Sequence, residues 1–170
     1  MECRLANKTD LPQLKTMFED VVKNMHSQGI TIWNEYYPYE EFEYDIDDKQ
    51  LYLLMDNNVI VANFVLYKYD TNKLNCFNWQ DVDADAMLLN RLGVNVNYLR
   101  RGIASKVLEE AKKISRNYNA EYIRLTVVDS NIPAINLYKK FGFVQVEGIY
   151  EEKIPERNIT LYEYGFELKL

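Results

Sequence analysis

Residues 92–108 decide the fold, and they run Leu92-Gly93-Val94-Asn95-Val96-Asn97-Tyr98-Leu99-Arg100-Arg101-Gly102-Ile103-Ala104-Ser105-Lys106-Val107-Leu108. The stretch begins as the end of an apolar run, 88–94, which is typical of a buried strand. It ends in apolar residues at the spacing of one helix face, namely Ile103, Val107, Leu108, Ala111 and Ile114. The pattern therefore predicts a strand, a polar turn at 95–97 and a helix, with the junction at 98–104.

This junction has the composition of an anion site. The first N–H groups of a helix have no partner within the helix, and the helix dipole adds partial positive charge there. A phosphate can accept these hydrogen bonds where small residues such as Gly102 and Ala104 let it approach. Arg100 and Arg101 supply charge that suits a diphosphate. The same residues also fit an ordinary turn with two solvated arginines, so the composition leaves both interpretations open.

Composition limits the class of protein. The 170 residues are 48% apolar, which predicts a single globular domain over 1–170. A net charge of −6 argues against a general nucleic-acid surface. No apolar run is long enough for a membrane span, and the start of the chain lacks a signal-peptide core. Cys3 and Cys76 are expected to be reduced thiols in a cytoplasmic protein, and the single histidine, His26, fits a helix end better than a metal site.

The order of the elements predicts an α/β domain. Alternating and apolar segments predict strands at 2–6, 50–55, 59–67, 88–94, 122–128, 143–149 and 160–168. Helical spacing predicts helices from Thr9, as the capping residue, to Gly29, at 40–48, after Gly102 and before Gly142. We expect a surface connection at 70–84, a cap for the last helix at Asp129 or Ser130 and a polar loop at 151–158. Strands followed by strand–helix–strand units predict a mixed sheet with helices on both faces.

Two segments resemble the signature of the GNAT superfamily of N-acetyltransferases. The first, 98–104, is similar to the acyl-CoA motif Q/R-x-x-G-x-G/A: Gly102 and Ala104 match, and Leu99 stands where the motif has Gln or Arg. The second, 131–143, is similar to N-x-x-A-x-x-L-Y-x-x-x-G-F. The two occur in the order and separation of the family.

The resemblance implies a GNAT fold, an α/β (α+β) arrangement with a mixed, mostly antiparallel sheet of about seven strands. It implies that strands 88–94 and 122–128 splay apart so that the pantetheine arm of acetyl-CoA lies between them. The residues that it places on acetyl-CoA are Leu92, Val94, Leu99, Arg100, Arg101, Gly102, Ile103, Ala104, Ser105, Asn131, Ala134 and Tyr138. It also implies that Tyr138 is the general acid for the thiolate. From the residues alone, Tyr138 could equally be one core tyrosine among fourteen.

The acceptor amine is expected at the aromatic loop 30–39. Loops of this kind often carry function, and in the resembling family this segment helps to form the acceptor pocket. We expect Trp33 to anchor the loop, and Glu35, Tyr36 and Tyr37 to lie near the acceptor. Glu35 is the candidate general base, because it is an acidic residue in a loop expected to face the acceptor, where partial burial would raise its pKa. It could equally be an exposed carboxylate, with the proton of the amine passing to water.

The resemblance implies an acetyl-CoA-dependent N-acetyltransferase that acts on a primary amine of a small molecule, peptide or protein. The amine would attack directly in a ternary complex, since a single histidine offers no Ser-His-Asp arrangement for a covalent intermediate. One alternative is a non-catalytic acyl-CoA-binding regulatory domain of GNAT type. Another is a nucleotide-binding α/β domain, although no complete phosphate-loop motif is present. No metal is implied, and a homodimer is an expectation from the family.

Overall fold

The computed structural model describes residues 1–70 and 74–170. It divides into two compact units, Met1–Tyr67 with Leu89–Ala111 and Lys68–Leu88 with Lys112–Leu170. Hydrogen-bonded strands follow the order β1-β2-β3-β4-β5-β8-β6, and β7 pairs with β8. The elements are β1 (Glu2–Leu5), α1 (Leu11–Ser27), α2 (Phe42–Asp47), β2 (Leu51–Asp56), β3 (Val59–Lys68), β4 (Ala86–Val94), α3 (Ile103–Asn117), β5 (Tyr122–Val128), α4 (Ile132–Phe141), β6 (Val144–Gln145), β7 (Tyr150–Ile154) and β8 (Ile159–Lys169). The predicted fold class is confirmed, with eight strands in place of about seven. The single domain stays a prediction.

The first unit is built on a hairpin and an amphipathic helix. β2 pairs with β1 and with β3, both antiparallel, and the predicted tight turn lies between β2 and β3. The buried residues of α1 recur every three or four positions, so one face of the helix is apolar: Leu14, Met17, Phe18, Val21 and Val22. Phe18 meets Phe42 of α2 edge to face, with ring centroids 4.7 Å apart. The helix predicted from this spacing is confirmed.

The start of α1 differs from the prediction in its capping residue. Asn7, not Thr9, provides the side-chain cap, because its Oδ1 accepts from the backbone N–H of Thr9 in a 3₁₀ turn over Lys8–Asp10. Asp10 completes the arrangement by accepting from the N–H of Asn7. The chain enters α1 directly from this turn, and Pro12 occupies its first turn as predicted.

The second unit is organised around β8. Seven residues of β5 pair antiparallel with β8, while β6 and β7 pair with different parts of it. The first residues of β4, Ala86–Leu88, pair parallel with Tyr122–Arg124 of β5. Gly142 ends α4 at φ 109°, and its N–H donates to the carbonyls of Tyr138 and Lys139, which confirms the predicted left-handed stop.

The segment after residue 70 is not the surface connection that its polarity predicted. It forms no regular element among residues 74–84, but Leu74, Phe77 and Trp79 are buried. A Cβ at Gly165 of β8 would lie 2.7 Å from the Phe77 ring, so the ring sits where this glycine leaves room. Residues 71–73 of the predicted connection lie outside the described residues.

The prediction of a polar loop at 151–158 is wrong, and the strand predicted at 143–149 is shorter than expected. Tyr150–Ile154 pairs with Ile159–Glu163 as an antiparallel hairpin, closed by a 3₁₀ turn at Pro155–Arg157. Charged side chains are tolerated in β7 because they point away from a core, and the backbone ladder to β8 supplies the hydrogen bonds. Gly148, at φ 124°, lies in the interval between β6 and β7.

A guanidinium is buried in the second unit. The side chain of Arg124 on β5 is 0% exposed, and its Nε lies 3.4 Å from Oε2 of Glu167. The guanidinium carbon lies 5.1 Å, 4.9 Å and 5.5 Å from the ring centroids of Tyr69, Trp79 and Tyr122. An ion pair enclosed by aromatic faces is held by charge and cation–π attraction together. In the described ranges, 1–70 and 74–170, no helix has the length and apolarity to cross a membrane.

Candidate functional site

A tight turn follows β4, as the sequence predicted. Asn95 fixes it: its side chain accepts from the N–H of Asn97 at 3.0 Å, and its Nδ2 donates to the carbonyl of Ile60 at 3.0 Å. Its backbone N–H donates to the carbonyl of Val61 at 2.9 Å. The turn is thereby fastened to β3, and it sets the direction in which the chain approaches α3.

The loop Leu99–Gly102 leads directly into the N-terminus of α3 and is exposed. Arg100 and Gly102 both have left-handed backbones, at φ 61° and 71°. A Cβ at Gly102 would meet nothing within 4 Å, so the glycine leaves open space beside the first turn of the helix. Ile103, which is buried, anchors the start of the helix.

This geometry fits a pyrophosphate. The N-terminus of a 15-residue helix presents free N–H groups, and the open side of Gly102 lets an anion reach them. Arg100 is exposed beside them, while the guanidinium of Arg101 lies 5.2 Å from the ring centroid of Tyr98. The same continuous segment, from β4 into α3, contains five more of the residues predicted to bind acetyl-CoA: Leu92, Val94, Leu99, Ala104 and Ser105.

The second motif forms α4 and its cap. Asn131, and not Asp129 or Ser130, is the capping residue, since its Oδ1 accepts from the N–H of Ala134 at 3.4 Å. The sequence signal was present, because asparagine is as good a cap as aspartate or serine.

Tyr138 lies on the inner face of α4. It is 8% exposed, and its ring centroid is 5.6 Å from that of Phe143 and 6.4 Å from that of Phe166. Burial raises the pKa of Tyr138 to about 12, because a phenolate would lose its hydration there. The phenol therefore keeps its proton at neutral pH, and its raised pKa makes it a weaker proton donor than an exposed tyrosine.

The aromatic loop after α1 is held to the helix at two points. The ring of Trp33 lies 5.4 Å from that of Phe18, which agrees with the anchoring role that we expected. The carbonyl of Trp33 accepts from Nε2 of His26 at 2.7 Å, so His26 has the predicted helix-end position. Oδ1 of Asn34 accepts from the N–H groups of Tyr36 and Tyr37, each at 2.8 Å.

Glu35, Tyr36 and Tyr37 are exposed. The partial burial of Glu35, on which its predicted role as a base depended, is not found. Glu35 instead contributes to the wall of a cavity of about 260 Å³ that opens between α1 and the loop. The cavity has an apolar floor and charged walls, and its lining residues are Lys15, Phe18, Glu19, Val22, Lys23, His26, Asn34, Glu35 and Tyr39.

Sequence reasoning missed an ion pair beneath this loop. Arg91 of β4 donates from Nε and Nη2 to the two carboxylate oxygens of Asp45 in α2, at 3.0 and 2.7 Å. Burial alone would lower the pKa of Arg91, but Asp45 and a hydrogen bond with Tyr37 outweigh it, so the pKa is raised. The signal was an arginine within the apolar run of β4, where a buried charge needs a partner.

A sequence model described as "Acetyltransferase (GNAT) family" matches residues 16–143, which is most of the chain and includes both motifs. The chain belongs to the acetyltransferase (GNAT) family.

Similar proteins agree with the GNAT assignment. An N-alpha-acetyltransferase of Sulfurisphaera tokodaii is 46% identical over 57 residues, which are 33% of this chain and 34% of that protein. The chain thus spans about a third of the length of that curated relative. A GNAT-family acetyltransferase from Streptococcus agalactiae has the same fold, with a TM-score of 0.80, 13% identity and coverage of 99% and 95%. The NatC complex bound to Gag peptide and CoA contains a chain with a TM-score of 0.68, 18% identity and coverage of 100% and 99%.

The structure places the predicted GNAT residues in three local groups. The loop before α3 and the aromatic loop after α1 belong to the first unit, and Asn131, Ala134 and Tyr138 share one helix of the second unit. Arg91 and Asp45 join the aromatic loop as residues that sequence reasoning did not identify.

Proposed function

We propose that this protein is an acetyl-CoA-dependent N-acetyltransferase that transfers an acetyl group to a primary amine. The observation that carries the proposal is the loop before α3, where two left-handed residues, Arg100 and the open Gly102, precede a helix N-terminus. Membership of the GNAT family supports acetyl-CoA as the donor. When bound, acetyl-CoA supplies the acetyl group as an activated thioester.

In this proposal the loop before α3 binds the pyrophosphate of acetyl-CoA, and residues of β4 bind its arm. The N–H groups at the start of α3 and the guanidinium groups of Arg100 and Arg101 bind the pyrophosphate. Backbone groups of Leu92 and Val94 pair with the amide groups of the arm, as an added strand would. The other residues assigned to acetyl-CoA are Leu99, Gly102, Ile103, Ala104, Ser105, Asn131, Ala134 and Tyr138.

Tyr138 is proposed as the general acid. Its hydroxyl has no hydrogen-bond partner in the part of the chain that the structure describes, so its proton is available to a leaving thiolate. A positioned acid typically contributes roughly 10²–10⁴-fold. Tyr138→Phe should therefore lower kcat on that order and leave the Kd for CoA nearly unchanged, as measured by steady-state kinetics and calorimetry.

The acceptor is proposed to lie at the aromatic loop, in contact with Trp33, Glu35, Tyr36 and Tyr37. The cavity of about 260 Å³ beside Glu35 supports this placement. The relatives named N-alpha-acetyltransferase favour the α-amino group of a peptide or protein over a small amine. Cytoplasmic location and a homodimer remain predictions.

The experiment combines binding with turnover. A ligand at about a hundred times its Kd stabilises the folded state by roughly 2.7 kcal/mol, which corresponds to a rise in Tm of about 5 to 10 °C. We expect this rise with acetyl-CoA and CoA but not with ATP or NAD, followed by release of CoA thiol with peptides that carry a free α-amino group. A response to ATP or NAD alone would contradict the proposal. Binding of acetyl-CoA without thiol release on any amine tested would indicate the non-catalytic domain, an alternative that the departure at Leu99 leaves open.

A further inference from the structure

Arg91 lies within β4 but has a left-handed backbone, at φ 48°. The hydrogen bonds on either side of it explain this conformation. The N–H of Asn95 donates to the carbonyl of Val61, and the N–H of Tyr69 donates to the carbonyl of Ala86. Between these two bonds β4 has one residue more than β3, which is the mark of a β-bulge. Glycine is the ordinary left-handed residue of a bulge, so an arginine there indicates that its side chain is needed.

Asn63 of β3 holds the backbone of Arg91. Its Nδ2 donates to the carbonyl of Arg91 at 2.9 Å, and Asn63 is 0% exposed. A Cβ at Gly93 would lie 2.7 Å from Oδ1 of Asn63, so this glycine leaves the room that the buried amide occupies. A backbone fixed in this way also fixes the direction in which the arginine side chain leaves the strand.

The guanidinium of Arg91 joins two other elements of the first unit. Its Nε and Nη2 donate to both oxygens of Asp45 on α2, and the side chains of this pair are only 16% and 6% exposed. A guanidinium has several N–H donors, and the fork to Asp45 does not use all of them. The hydroxyl oxygen of Tyr37 in the aromatic loop accepts from the same guanidinium. Asp45 thus neutralises the buried charge, while a further donor holds the loop.

Tyr37 closes the part of the aromatic loop that carries the candidate acceptor residues. Its N–H donates to Oδ1 of Asn34 at 2.8 Å, and its carbonyl accepts from the N–H of Asn34 at 3.0 Å. Glu35 and Tyr36 lie between these two residues, and the N–H of Tyr36 donates to the same Oδ1 at 2.8 Å. A restraint on the side chain of Tyr37 is therefore also a restraint on Glu35 and Tyr36.

We propose that Arg91 is a positioning residue for the acceptor amine: from the bulge of β4 its guanidinium holds Tyr37 and so fixes the shape of residues 34–37. This inference rests on the proposed function. Trp33 and His26 hold the start of the aromatic loop, and Arg91 holds the part that carries Glu35 and Tyr36. An ion pair kept for stability alone would not require a left-handed arginine, since apolar residues in place of such a pair are often neutral or stabilising.

The first test uses Tyr37→Phe, which removes one hydroxyl from a ring that is 43% exposed and leaves the Arg91–Asp45 pair intact. With a peptide that carries a free α-amino group, KM for the peptide should rise roughly 10- to 100-fold, the range for a hydrogen bond to a charged group. The Kd for CoA should stay unchanged. Tyr44→Phe is the matched control, because Tyr44 on α2 is 71% exposed. An unchanged KM in Tyr37→Phe, or an equal rise in Tyr44→Phe, would overturn the inference.

A double-mutant cycle tests whether Tyr37 acts through Arg91. Arg91→Lys keeps a positive charge beside Asp45 but loses the planar fork that contacts two groups at once. It should raise KM for the peptide to a similar extent as Tyr37→Phe, and the double variant should show no further rise, because both changes remove the same contact. Multiplied effects in the double variant would show that the two residues act independently, which contradicts the inference.

Hydrogen exchange measured by mass spectrometry needs no turnover and separates the two proposals. Amide groups of residues 30–39 should exchange faster in Tyr37→Phe and in Arg91→Lys than in the wild type, and those of the other segments should not. Unchanged exchange in this loop would refute the inference whether or not the protein is active, and faster exchange throughout the chain would show a role in stability only. If the loop responds but the wild type releases no CoA thiol with any amine tested, the proposed function fails, and the role of Arg91 toward an acceptor fails with it.

Discussion

The buried phenol of Tyr138 makes a measurable contribution to how stability depends on pH. Its pKa rises from an ordinary 10.0 to about 12 in the folded protein, with burial as the only cause. Below pH 9 the phenol is protonated in both the folded and the unfolded chain and has no effect. Above pH 10 the unfolded chain releases this proton while the folded chain retains it, so alkaline pH favours unfolding.

The size of the effect follows from the two pKa values. A tenfold difference in proton affinity corresponds to about 1.4 kcal/mol, so the full contribution is about 2.7 kcal/mol and about 1.4 kcal/mol of it is lost by pH 11. Tyr138→Phe has no proton to release at this position. The difference in the free energy of unfolding between wild type and variant should therefore change by about 1.4 kcal/mol between pH 8 and pH 11.

The assay is urea unfolding, followed by far-UV circular dichroism at pH 8, 10 and 11. Tyr118→Phe is the matched control, because the side chain of Tyr118 is 63% exposed and the substitution is chemically the same. Subtracting each variant from wild type cancels the other tyrosines, which titrate in every sample. If wild type and Tyr138→Phe lose stability in parallel as pH rises, Tyr138 is not a buried neutral phenol, and its proposed role as the acid fails as well.

Two further predictions concern the first unit. Gly102→Ala should destabilise the protein by about 1 to 2 kcal/mol, through its left-handed backbone, and should lower CoA affinity at least tenfold in calorimetry. Gly29→Ala, at φ 76° and equally open surroundings, is the control that should be destabilised to a similar degree with unchanged CoA affinity; equal affinities in both variants would refute the pyrophosphate site. Asp45→Ala leaves the half-buried Arg91 without its carboxylate and should lower the free energy of unfolding in urea by about 3 to 5 kcal/mol. A loss below about 1 kcal/mol would show that water or another group compensates Arg91.

The elements with strong local signals were predictable from the sequence. The spacing of Leu14, Phe18 and Val21 defines a helix face, and Gly142 supplies the left-handed stop of α4. In these places the local preference and the tertiary structure agree. The loop before α3 belongs to this group, since strand, turn and helix follow each other without interruption.

The sequence-based prediction was wrong for segments whose structure depends on residues far away in the sequence. Phe77 and Trp79 are buried because Gly165 of β8 leaves room for one ring and Arg124 attracts the other, and neither partner is near in sequence. The strand Tyr150–Ile154 is charged and mostly exposed, so the backbone of β8 determines it and not its own composition.

The candidate site was predictable to the extent that it consists of contiguous motifs. The two motif segments could be recognised in the sequence and form a helix start and a short helix, respectively. The pairing of Arg91 with Asp45 could not be found, because it joins residues 46 positions apart.

The Tyr37–Arg91–Asp45 contacts bear on any attempt to change which amine this protein accepts. The aromatic loop is tied through Tyr37 to a guanidinium on β4, and that guanidinium is in turn neutralised from α2. A foreign loop grafted between α1 and α2 without a hydroxyl at this point would lose its contact with Arg91, however well its other side chains suited a new acceptor. Re-engineering of specificity here therefore has to keep a hydroxyl at position 37, or change Arg91 and Asp45 together with the loop.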